Sequence, residues 1–346
     1  MINLVYIQFG QNPSPTLLNS ARNSDQNLIN VRKILITDHP TRWAHFPGQI
    51  INVQPHEISS ELALYTARFP EFYEIANGYW IFTLIRIFAL RKIEELIDVN
   101  EPVIQIEADV TLFLNNEDLN QITSLILKTA IPRHSASQGI ASVIVAPTFK
   151  QLLGDLDLLE QHLLKSTTWL TDMDLLGEGL NLGILEELPT KTFNGYPTST
   201  SKLIFDGLAL GQYIFGRDPL HTNGRAISGF ISPELPSEIL EMEMSIKRIG
   251  NQFAIGLTSQ NEFVRFANLH VHAKYDLPSL NPLDPFWEKV IKEFNREIPR
   301  TPGPYREDLI HSIKPSIKSR YLLIKRRGVR KTIQNKIKRL RSSWQR

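Results

Sequence analysis

The 346-residue sequence contains no cysteine, which excludes disulfides, thiolate-bound metals and cysteine nucleophiles. It also lacks the phosphate-binding glycine motifs G-x-G-x-x-G and G-x-x-x-x-G-K-[ST], and this argues against an ordinary dinucleotide site or a P-loop. The absence of cysteine suits a reducing cytoplasm. Any catalytic or metal site must therefore be built from carboxylates, imidazoles and other oxygen or nitrogen groups.

Long hydrophobic runs are missing as well. A membrane-spanning helix needs roughly 18 or more consecutive apolar residues, whereas the longest candidate, residues 79–90, is interrupted by Arg86. The N-terminus reads as a first strand and has neither a basic region nor a small-residue cleavage site, so it makes a poor signal peptide. We expect a soluble or peripheral protein.

Acidic residues are absent from the C-terminal end. Residues 314–346 contain 13 Lys and Arg and no Asp or Glu, which leaves 25 basic and 36 acidic side chains in the preceding 313 residues. The near-neutral total of +2 thus combines an acidic body with a basic tail. Such an asymmetry predicts two different partners.

The tail carries an apolar stripe at helical spacing, formed by Ile333, Ile337, Leu340 and Trp344. A basic amphipathic helix with an interfacial tryptophan is typical of binding to an anionic membrane surface. Two alternatives are docking on the acidic body or a solvated, disordered end. Nucleic acid is the least favoured partner, because the tail lacks interleaved aromatic residues and the body is acidic.

Strand-like and helix-like patterns alternate in the first half of the chain. Apolar runs at residues 2–9, 33–37, 103–106 and 142–145 lie between stretches with helical spacing, of which the clearest are residues 79–97 and 150–164. This order predicts an α/β fold with a mostly parallel sheet that is covered by helices on both faces.

The pattern changes to period two after residue 236, which predicts an antiparallel meander with strands near 253–257 and 263–272. Prolines between residues 278 and 304 predict an extended segment that leaves room for a short helix at 286–295. We therefore expect a catalytic domain at 1–275, an extended segment at 276–305 and a basic amphipathic tail at 306–346.

Glu107-Ala108-Asp109 stands between two apolar runs, directly after the predicted strand 103–106. Two carboxylates at the end of a buried strand, with little nearby in the sequence to neutralise them, favour a bound cation, because burying unpartnered charge is costly. Mg²⁺ and Mn²⁺ prefer oxygen ligands and bridge to phosphates. The alternative is a loop with two solvated acids.

Two other strands end in residues suited to a ligand. Phe9-Gly10 follows the first strand and Asp38 follows the second, and ligands of open α/β sheets bind beyond the carboxyl ends of strands. A glycine there lets the backbone approach a ligand closely. Arg86 interrupts an apolar helix and needs a partner, for which a structural salt bridge and a phosphate contact are equal alternatives.

The second half supplies a further carboxylate and two imidazoles. Asp206 opens a predicted helix over residues 205–213, where it serves as an N-cap or as a general base. His270 and His272 lie two apart on a predicted strand and project to one face, as candidate metal ligands. Lys274 follows and is suited to neutralising phosphate.

Together these motifs resemble the GT-A-type nucleotide-sugar-dependent glycosyltransferases, particularly bacterial ones that decorate surface polysaccharides. The resemblance covers about residues 2–275. The residues that carry it are the strand-flanked Glu107-Ala108-Asp109, the helix with Arg86, Asp206-Gly207-x-Ala209-x-Gly211-Gln212-Tyr213 with Gly216-x-Asp218-Pro219, and Asn268-Leu269-His270-Val271-His272-Ala273-Lys274. The family pattern is often Asp-x-Asp, so Glu107 departs from it.

The resemblance implies a GT-A-like, Rossmann-like domain that transfers a sugar from a nucleoside-diphosphate sugar, most simply a UDP-sugar, to a glycan or lipid-linked acceptor. It implies that Asp109 and one of His270 or His272 bind Mn²⁺ or Mg²⁺, and that Asp206 serves an inverting reaction as base or positions the acceptor in a retaining one. The residues implied to hold the nucleotide are Phe9, Gly10, Asp38, Arg86, Glu107, Ala108 and Lys274.

The implied setting is a cytoplasmic enzyme, peripheral at the inner face of the plasma membrane and active in polysaccharide biosynthesis. Two other functions remain open. A nucleotidyltransferase would share the sheet and the acidic site but needs a basic, glycine-rich loop after the first strand, which residues 10–15 lack. A non-catalytic adaptor would act through the tail, on a membrane or a nucleic acid.

Overall fold

The structure is a computed structural model. It describes residues 1–10, 15–73, 79–190, 196–197, 202–215, 235, 239, 242–249, 252–259, 262–271 and 281–295. Four predicted features lie outside these ranges, namely His272, Lys274, the Gly216–Pro219 motif and the basic tail. The bounds of the three predicted domains stay predictions.

The strands of the described chain are β1 (Ile2–Gln8), β2 (Val31–Thr37), β3 (Gln49–Asn52), β4 (Val103–Ile106), β5 (Val110–Leu112), β6 (Ala130–Ser135), β7 (Gln138–Gly139), β8 (Val143–Ala146), β9 (Glu186–Leu188), β10 (Tyr196–Pro197), β11 (Lys202–Ile204), β12 (Glu243–Ile249), β13 (Gln252–Ser259), β14 (Glu262–Phe266) and β15 (Asn268–His270). The α-helices are α1 (Pro15–Asn27), α2 (Ser60–Ala67), α3 (Tyr79–Ala89), α4 (Asn116–Leu125), α5 (Phe149–Lys165), α6 (Asp172–Asn181), α7 (Ala209–Phe215) and α8 (Pro285–Phe294). Short 3₁₀ helices include Pro40–Trp43 and Leu90–Ile93, the latter continuing α3.

The central sheet has the order β3-β2-β1-β4-β8-β6-β7, and β9 pairs with β6. The pairs among β3, β2, β1 and β4 are parallel, while β8 runs antiparallel to β4 and β6. Alternate residues of β1 face opposite sides: Val5 packs with helices α2, α3, α5 and α6, whereas Tyr6 packs with α1 and α4. The predicted α/β class, with a mostly parallel sheet covered on both faces, is confirmed.

Four of the covering helices begin at side-chain caps, which supply acceptors for the free amides of the first turn. At α2 the cap is Ser59, which accepts a hydrogen bond from the Leu62 amide. Asn115 accepts a hydrogen bond from the Asp118 amide at α4, Thr148 from the Gln151 amide at α5, and Thr171 from the Asp174 amide at α6. The cap at Thr171 places the next residue, Asp172, at the first position of α6.

A second sheet has the order β10-β11-β14-β13-β12. Strands β12, β13 and β14 form the predicted antiparallel meander, and β11 joins it in parallel to β14. Helices α7 and α8 pack on this sheet, where Trp287 of α8 is fully buried. Helix α8 therefore confirms that a short helix interrupts the proline-rich segment, and it begins at Pro285, whose fixed φ suits a first turn.

The predicted strand over residues 263–272 is wrong in one respect, because the chain changes partners at Ala267. Strand β14 ends at Phe266 in the second sheet, and β15 then pairs antiparallel with β5. The change is fixed by main-chain bonds, since the Ala267 amide donates to the Ile204 carbonyl and the Ala267 carbonyl accepts from the Phe113 amide. Alternation of side chains does not reveal such a switch.

None of the helices in the described chain is long and apolar enough to cross a membrane.

An ion pair buried between the meander and α4 joins the second sheet to the helical layer of the first. Arg265 of β14 contacts the Asp118 carboxylate, and both side chains are less than a tenth exposed. Asp118 also accepts from the Asn115 amide and so completes the capping box of α4. Removing the arginine leaves a buried carboxylate without its cation, which destabilises a protein strongly.

We expect Arg265→Ala to lower the free energy of unfolding by about 3 kcal/mol, measured by urea denaturation. The matched control is Arg22→Ala, which removes an exposed arginine from α1 and should leave stability nearly unchanged. Equal, small effects of the two substitutions would show that the Arg265–Asp118 pair does not stabilise the fold.

Candidate functional site

The carboxyl ends of β1, β2 and β4 meet at one edge of the central sheet. Tyr6 lies opposite Ile106 and Gln8 opposite Thr37 in the parallel registers. The residues that follow each strand therefore become neighbours, as the sequence indicates for an open α/β sheet.

Gly10 and Asp38, both predicted to hold a nucleotide, are in direct contact. The Gly10 amide donates a hydrogen bond of 2.9 Å to Asp38 Oδ1. Gly10 has a φ of +98°, a conformation that favours glycine. Phe9 is half-buried against the core, while Tyr6 is fully buried and stacks edge-on against Phe46, so Tyr6 is a core residue.

The turn between β4 and β5 presents Glu107 and Asp109. The Glu107 amide donates to the Ser142 carbonyl, and the Glu107 carbonyl accepts from the Val110 amide, so the turn is fixed at both sides. Ala108 is half-buried against the core between them. Glu107 and Asp109 are 8% and 9% exposed, which contradicts the alternative of two solvated acids.

Strand β15 brings His270 to this turn. His270 lies opposite Val110 in the antiparallel register, and the Val271 amide donates to the Asp109 carbonyl at 2.8 Å. His270 Nε2 is 3.2 Å from Asp109 Oδ1 and 3.8 Å from Glu107 Oε2. One ligand atom from each of the three residues lies within 4.8 Å of the others; we call them the Glu107–Asp109–His270 cluster.

Arg86 of α3 contacts the cluster from the helix layer. Its guanidinium forms an ion pair with Glu107 and lies 3.2 Å from Asp172 Oδ2. Burial would lower the pKa of Arg86, but Glu107 and Asp172 hold the pKa above its ordinary value. The expectation that little lies near the two carboxylates to neutralise them is therefore wrong, because α3 packs beneath the strand end. Of the two alternatives for Arg86, the salt bridge is present.

Asp172 is a site residue that the sequence analysis missed. It is 4% exposed at the start of α6, and burial raises the pKa of its carboxyl despite the opposing charge of Arg86 and a hydrogen bond from Thr83. The Thr171–Asp174 capping box indicates a helix start here, but no local pattern shows that α6 packs against α3. Only the tertiary packing identifies Asp172 as a partner of Arg86.

The charges around the cluster suit a divalent cation. When Glu107, Asp109 and Asp172 are all ionised, these three carboxylates and the guanidinium of Arg86 together carry a net charge of −2. Buried charge of one sign is costly unless it is paired or binds a metal. Two carboxylates and an imidazole are donors that Mn²⁺ and related ions accept. The donor set therefore fits such an ion.

Asp206 lies beside the cluster and is fully buried. Its Oδ2 accepts hydrogen bonds of 2.9 Å from the amides of Gly211 and His270. The predicted helix over 205–213 is wrong at its start: α7 begins at Ala209, because Leu208 has a φ of +86°. Asp206 therefore does not directly precede the first residue of α7. Its carboxylate nevertheless accepts a hydrogen bond from the Gly211 amide in the first turn of that helix.

No protein-family model matches the sequence, and no curated protein matches it either. Solved structures similar to this chain include the galactosyltransferase LgtC in complex with donor and acceptor sugar analogues, at TM-score 0.36 and 14% identity over 54% of this chain and 73% of LgtC. Mouse xyloside xylosyltransferase 1 matches at TM-score 0.35 and 12% identity, over 54% of this chain and 84% of that one. PaToxG glycosyltransferase matches at TM-score 0.35 and 13% identity, over 53% of this chain and 69% of that one. Likeness of this degree leaves the function to be argued from the site.

We expect the protein to bind Mn²⁺ and Asp109→Asn to weaken this binding by at least about 100-fold, as measured by calorimetry, since even outer-shell partners contribute 10–100-fold. Affinity should also fall as the pH is lowered, because protons compete for the imidazole and carboxylates. The matched control is Asp157→Asn, a carboxylate that is 64% exposed and pairs with Arg91. Mn²⁺ binding that Asp109→Asn and Asp157→Asn leave equally intact would rule out the cluster as the metal site.

Proposed function

We propose that this protein is a metal-dependent glycosyltransferase that moves a sugar from a nucleoside-diphosphate sugar to a glycan or lipid-linked acceptor. The observation that carries the proposal is the Glu107–Asp109–His270 cluster, which stands at the carboxyl edge of a parallel sheet where ligands of open α/β folds bind. Among the described residues that carry the GT-A-type resemblance, Arg86, Glu107, Asp109 and His270 meet at this edge.

The strand ends beside the cluster are suited to a nucleoside. Gly10 has a positive φ, and a Cβ at this position would meet no atom of the described residues within 4 Å, which leaves room for a ligand against the backbone. The Gly10 amide fixes the Asp38 carboxylate, which is 12% exposed and can accept hydrogen bonds from hydroxyl groups. These residues and Phe9 would hold the nucleoside portion.

The cluster and Arg86 are suited to a diphosphate. Asp109 and His270 would hold the divalent cation, with Glu107 oriented by Arg86. When bound, such a cation supplies positive charge to the diphosphate leaving group. Arg86 places a fixed positive charge next to the cluster, and Asp172 and Glu107 together keep its guanidinium in place. Burial of these groups excludes water and strengthens their electrostatic effect.

The donor we propose first is a UDP-sugar, and the ion Mn²⁺ or Mg²⁺. The basic tail is proposed to bind an anionic membrane, which would place the enzyme at the cytoplasmic face of the plasma membrane beside a lipid-linked acceptor, in polysaccharide biosynthesis. Of the two histidines that the resemblance offers as alternatives for the metal, we propose His270; His272 and Lys274 lie outside the described residues, and Lys274 is proposed as a phosphate contact.

We expect UDP to bind tightly with Mn²⁺ and much more weakly without it, in calorimetric titrations, because an uncompensated diphosphate meets the excess negative charge of the cluster. Asp109→Ala should lower the UDP affinity measured with Mn²⁺ to the value measured without metal. Asp157→Ala should keep the higher UDP affinity with Mn²⁺. A panel of nucleotide sugars, scored by thermal stabilisation, then identifies the donor. UDP affinity that is equal with and without metal, or unchanged in Asp109→Ala, contradicts the proposal.

We expect a variant that ends at residue 313 to keep Mn²⁺-dependent UDP binding and to stop sedimenting with phosphatidylserine vesicles. The tail holds 13 basic residues, and each contributes up to about 1 kcal/mol near an anionic surface. Phosphatidylcholine vesicles are the control. A truncated protein that binds no nucleotide, combined with a tail peptide that binds the vesicles alone, would instead favour the adaptor.

A further inference from the structure

Asp206 joins two elements that are remote in sequence. One oxygen of its carboxylate, Oδ2, accepts from the amide of Gly211 in the first turn of α7 and from the amide of His270 in β15. His270 is at the same time the imidazole of the Glu107–Asp109–His270 cluster. The main chain that carries the imidazole is therefore held directly by Asp206.

The other polar atoms of Asp206 also face the protein interior. Its amide donates to Asn268 Oδ1 at 3.1 Å, and its carbonyl accepts from Ser142 Oγ at 3.4 Å. A general base must reach the proton that it removes, and no atom of this side chain is at the surface.

The turn that carries Asp206 is held in a strained conformation. Leu208 has a φ of +86° and a buried side chain, and such a backbone conformation costs a non-glycine residue about 1–3 kcal/mol, so that it persists only where the surroundings enforce it. His134 Nδ1 lies 2.9 Å from the Gly207 carbonyl oxygen. A Cβ on Gly207 would collide with the carbonyl of Arg133. Strand β6 thus packs closely against one side of the turn.

Helix α7 and strand β15 pack against the other side of the turn that carries Asp206. A Cβ added to Gly211 would collide with the His270 carbonyl and would approach Asp206 Oδ2 to 2.5 Å. The first turn of α7 can approach the His270 main chain only because residue 211 is glycine. Asp206, Gly211 and His270 thus form one tightly packed junction, which we call the Asp206 junction.

We propose that Asp206 is a positioning residue, whose carboxylate sets the main-chain position of His270 and thereby places the imidazole against Glu107 and Asp109, and that it is not the base that accepts a proton from the acceptor sugar. The inference rests on the proposed metal site. It replaces the catalytic role expected for Asp206 with control of metal affinity. Outer-shell groups that orient a ligand typically contribute 10–100-fold to metal affinity.

Asp206→Asn and Asp206→Ala separate the two roles. The asparagine carbonyl has two lone pairs and can accept from both amides, so we expect Asp206→Asn to bind Mn²⁺ nearly as tightly as the wild type and to retain donor turnover. Asp206→Ala removes the acceptor, and its Mn²⁺ affinity in calorimetry should fall about 10–100-fold. A general base gives the opposite pattern: Mn²⁺ affinity unchanged in both variants, and release of UDP from UDP-sugars lost in both, by about 100-fold or more.

Gly211→Ala tests the junction without changing the carboxylate. We expect its Mn²⁺ affinity to fall as in Asp206→Ala. The matched control is Gly154→Ala in α5, where an added Cβ meets no atom of the described part of the chain within 4 Å. This variant should bind Mn²⁺ as the wild type does. Unchanged affinity in both Gly211→Ala and Asp206→Ala overturns the inference. Where Asp206→Ala or Gly211→Ala fails to fold in thermal unfolding, the Asp206→Asn result decides.

A metal-free measurement keeps this inference distinct from the proposed function. In NMR spectra without Mn²⁺, the imidazole resonances of His270 should shift more in Asp206→Ala than in Asp206→Asn. If the wild-type protein binds no Mn²⁺, only the proposed function is contradicted. The positioning role of Asp206 is still tested by the His270 resonances, which are measured without metal. Resonances that do not move in Asp206→Ala overturn it.

Discussion

Three buried carboxylates, one guanidinium and one imidazole meet at the edge of the central sheet, and most of the site follows from how their charges are balanced. Glu107 and Asp172 face Arg86 from two different elements, and Asp109 faces the imidazole of His270. Buried charges of one sign are unfavourable in the protein interior unless they are paired, neutralised by a proton or bound to a metal ion. Without a bound ion these buried charges lower the stability of the fold, and a divalent ion would stabilise them. Buried charges of this kind are typical of a functional centre rather than of a core.

The imidazole reaches this group through a change of sheet partner. The meander supplies β14 to the second sheet, and at Ala267 the chain turns to pair β15 with β5. The Arg265–Asp118 pair fixes the meander against α4, and the Asp206 junction fixes β15 against α7. Two separate contacts thus support a single side chain, His270, against the turn of Glu107 and Asp109.

Local sequence could reveal the strands, their ends and the residue types placed there. Glu107 and Asp109 were predictable as site residues because they follow a strand pattern, whereas their grouping with a histidine was implied by the family resemblance, which left His270 and His272 as alternatives. The pairing of Arg86 with Asp172 was not predictable, since it depends on α3 packing against α6, whose members are far apart in the chain. The start of α7 was missed for a different reason: Leu208 adopts a positive φ that a leucine does not signal. The switch at Ala267 was missed because period-two alternation identifies a strand but not its neighbour.

The central claim is that Asp109 and His270 bind a divalent ion at the carboxyl edge of the sheet. Crystals grown with Mn²⁺ and UDP, and measured near the manganese absorption edge, test it most directly. The account predicts one strong anomalous peak within coordination distance of an Asp109 carboxylate oxygen and His270 Nε2, next to the diphosphate. A peak elsewhere on the protein, or UDP bound at this edge with no peak beside Asp109, would contradict it.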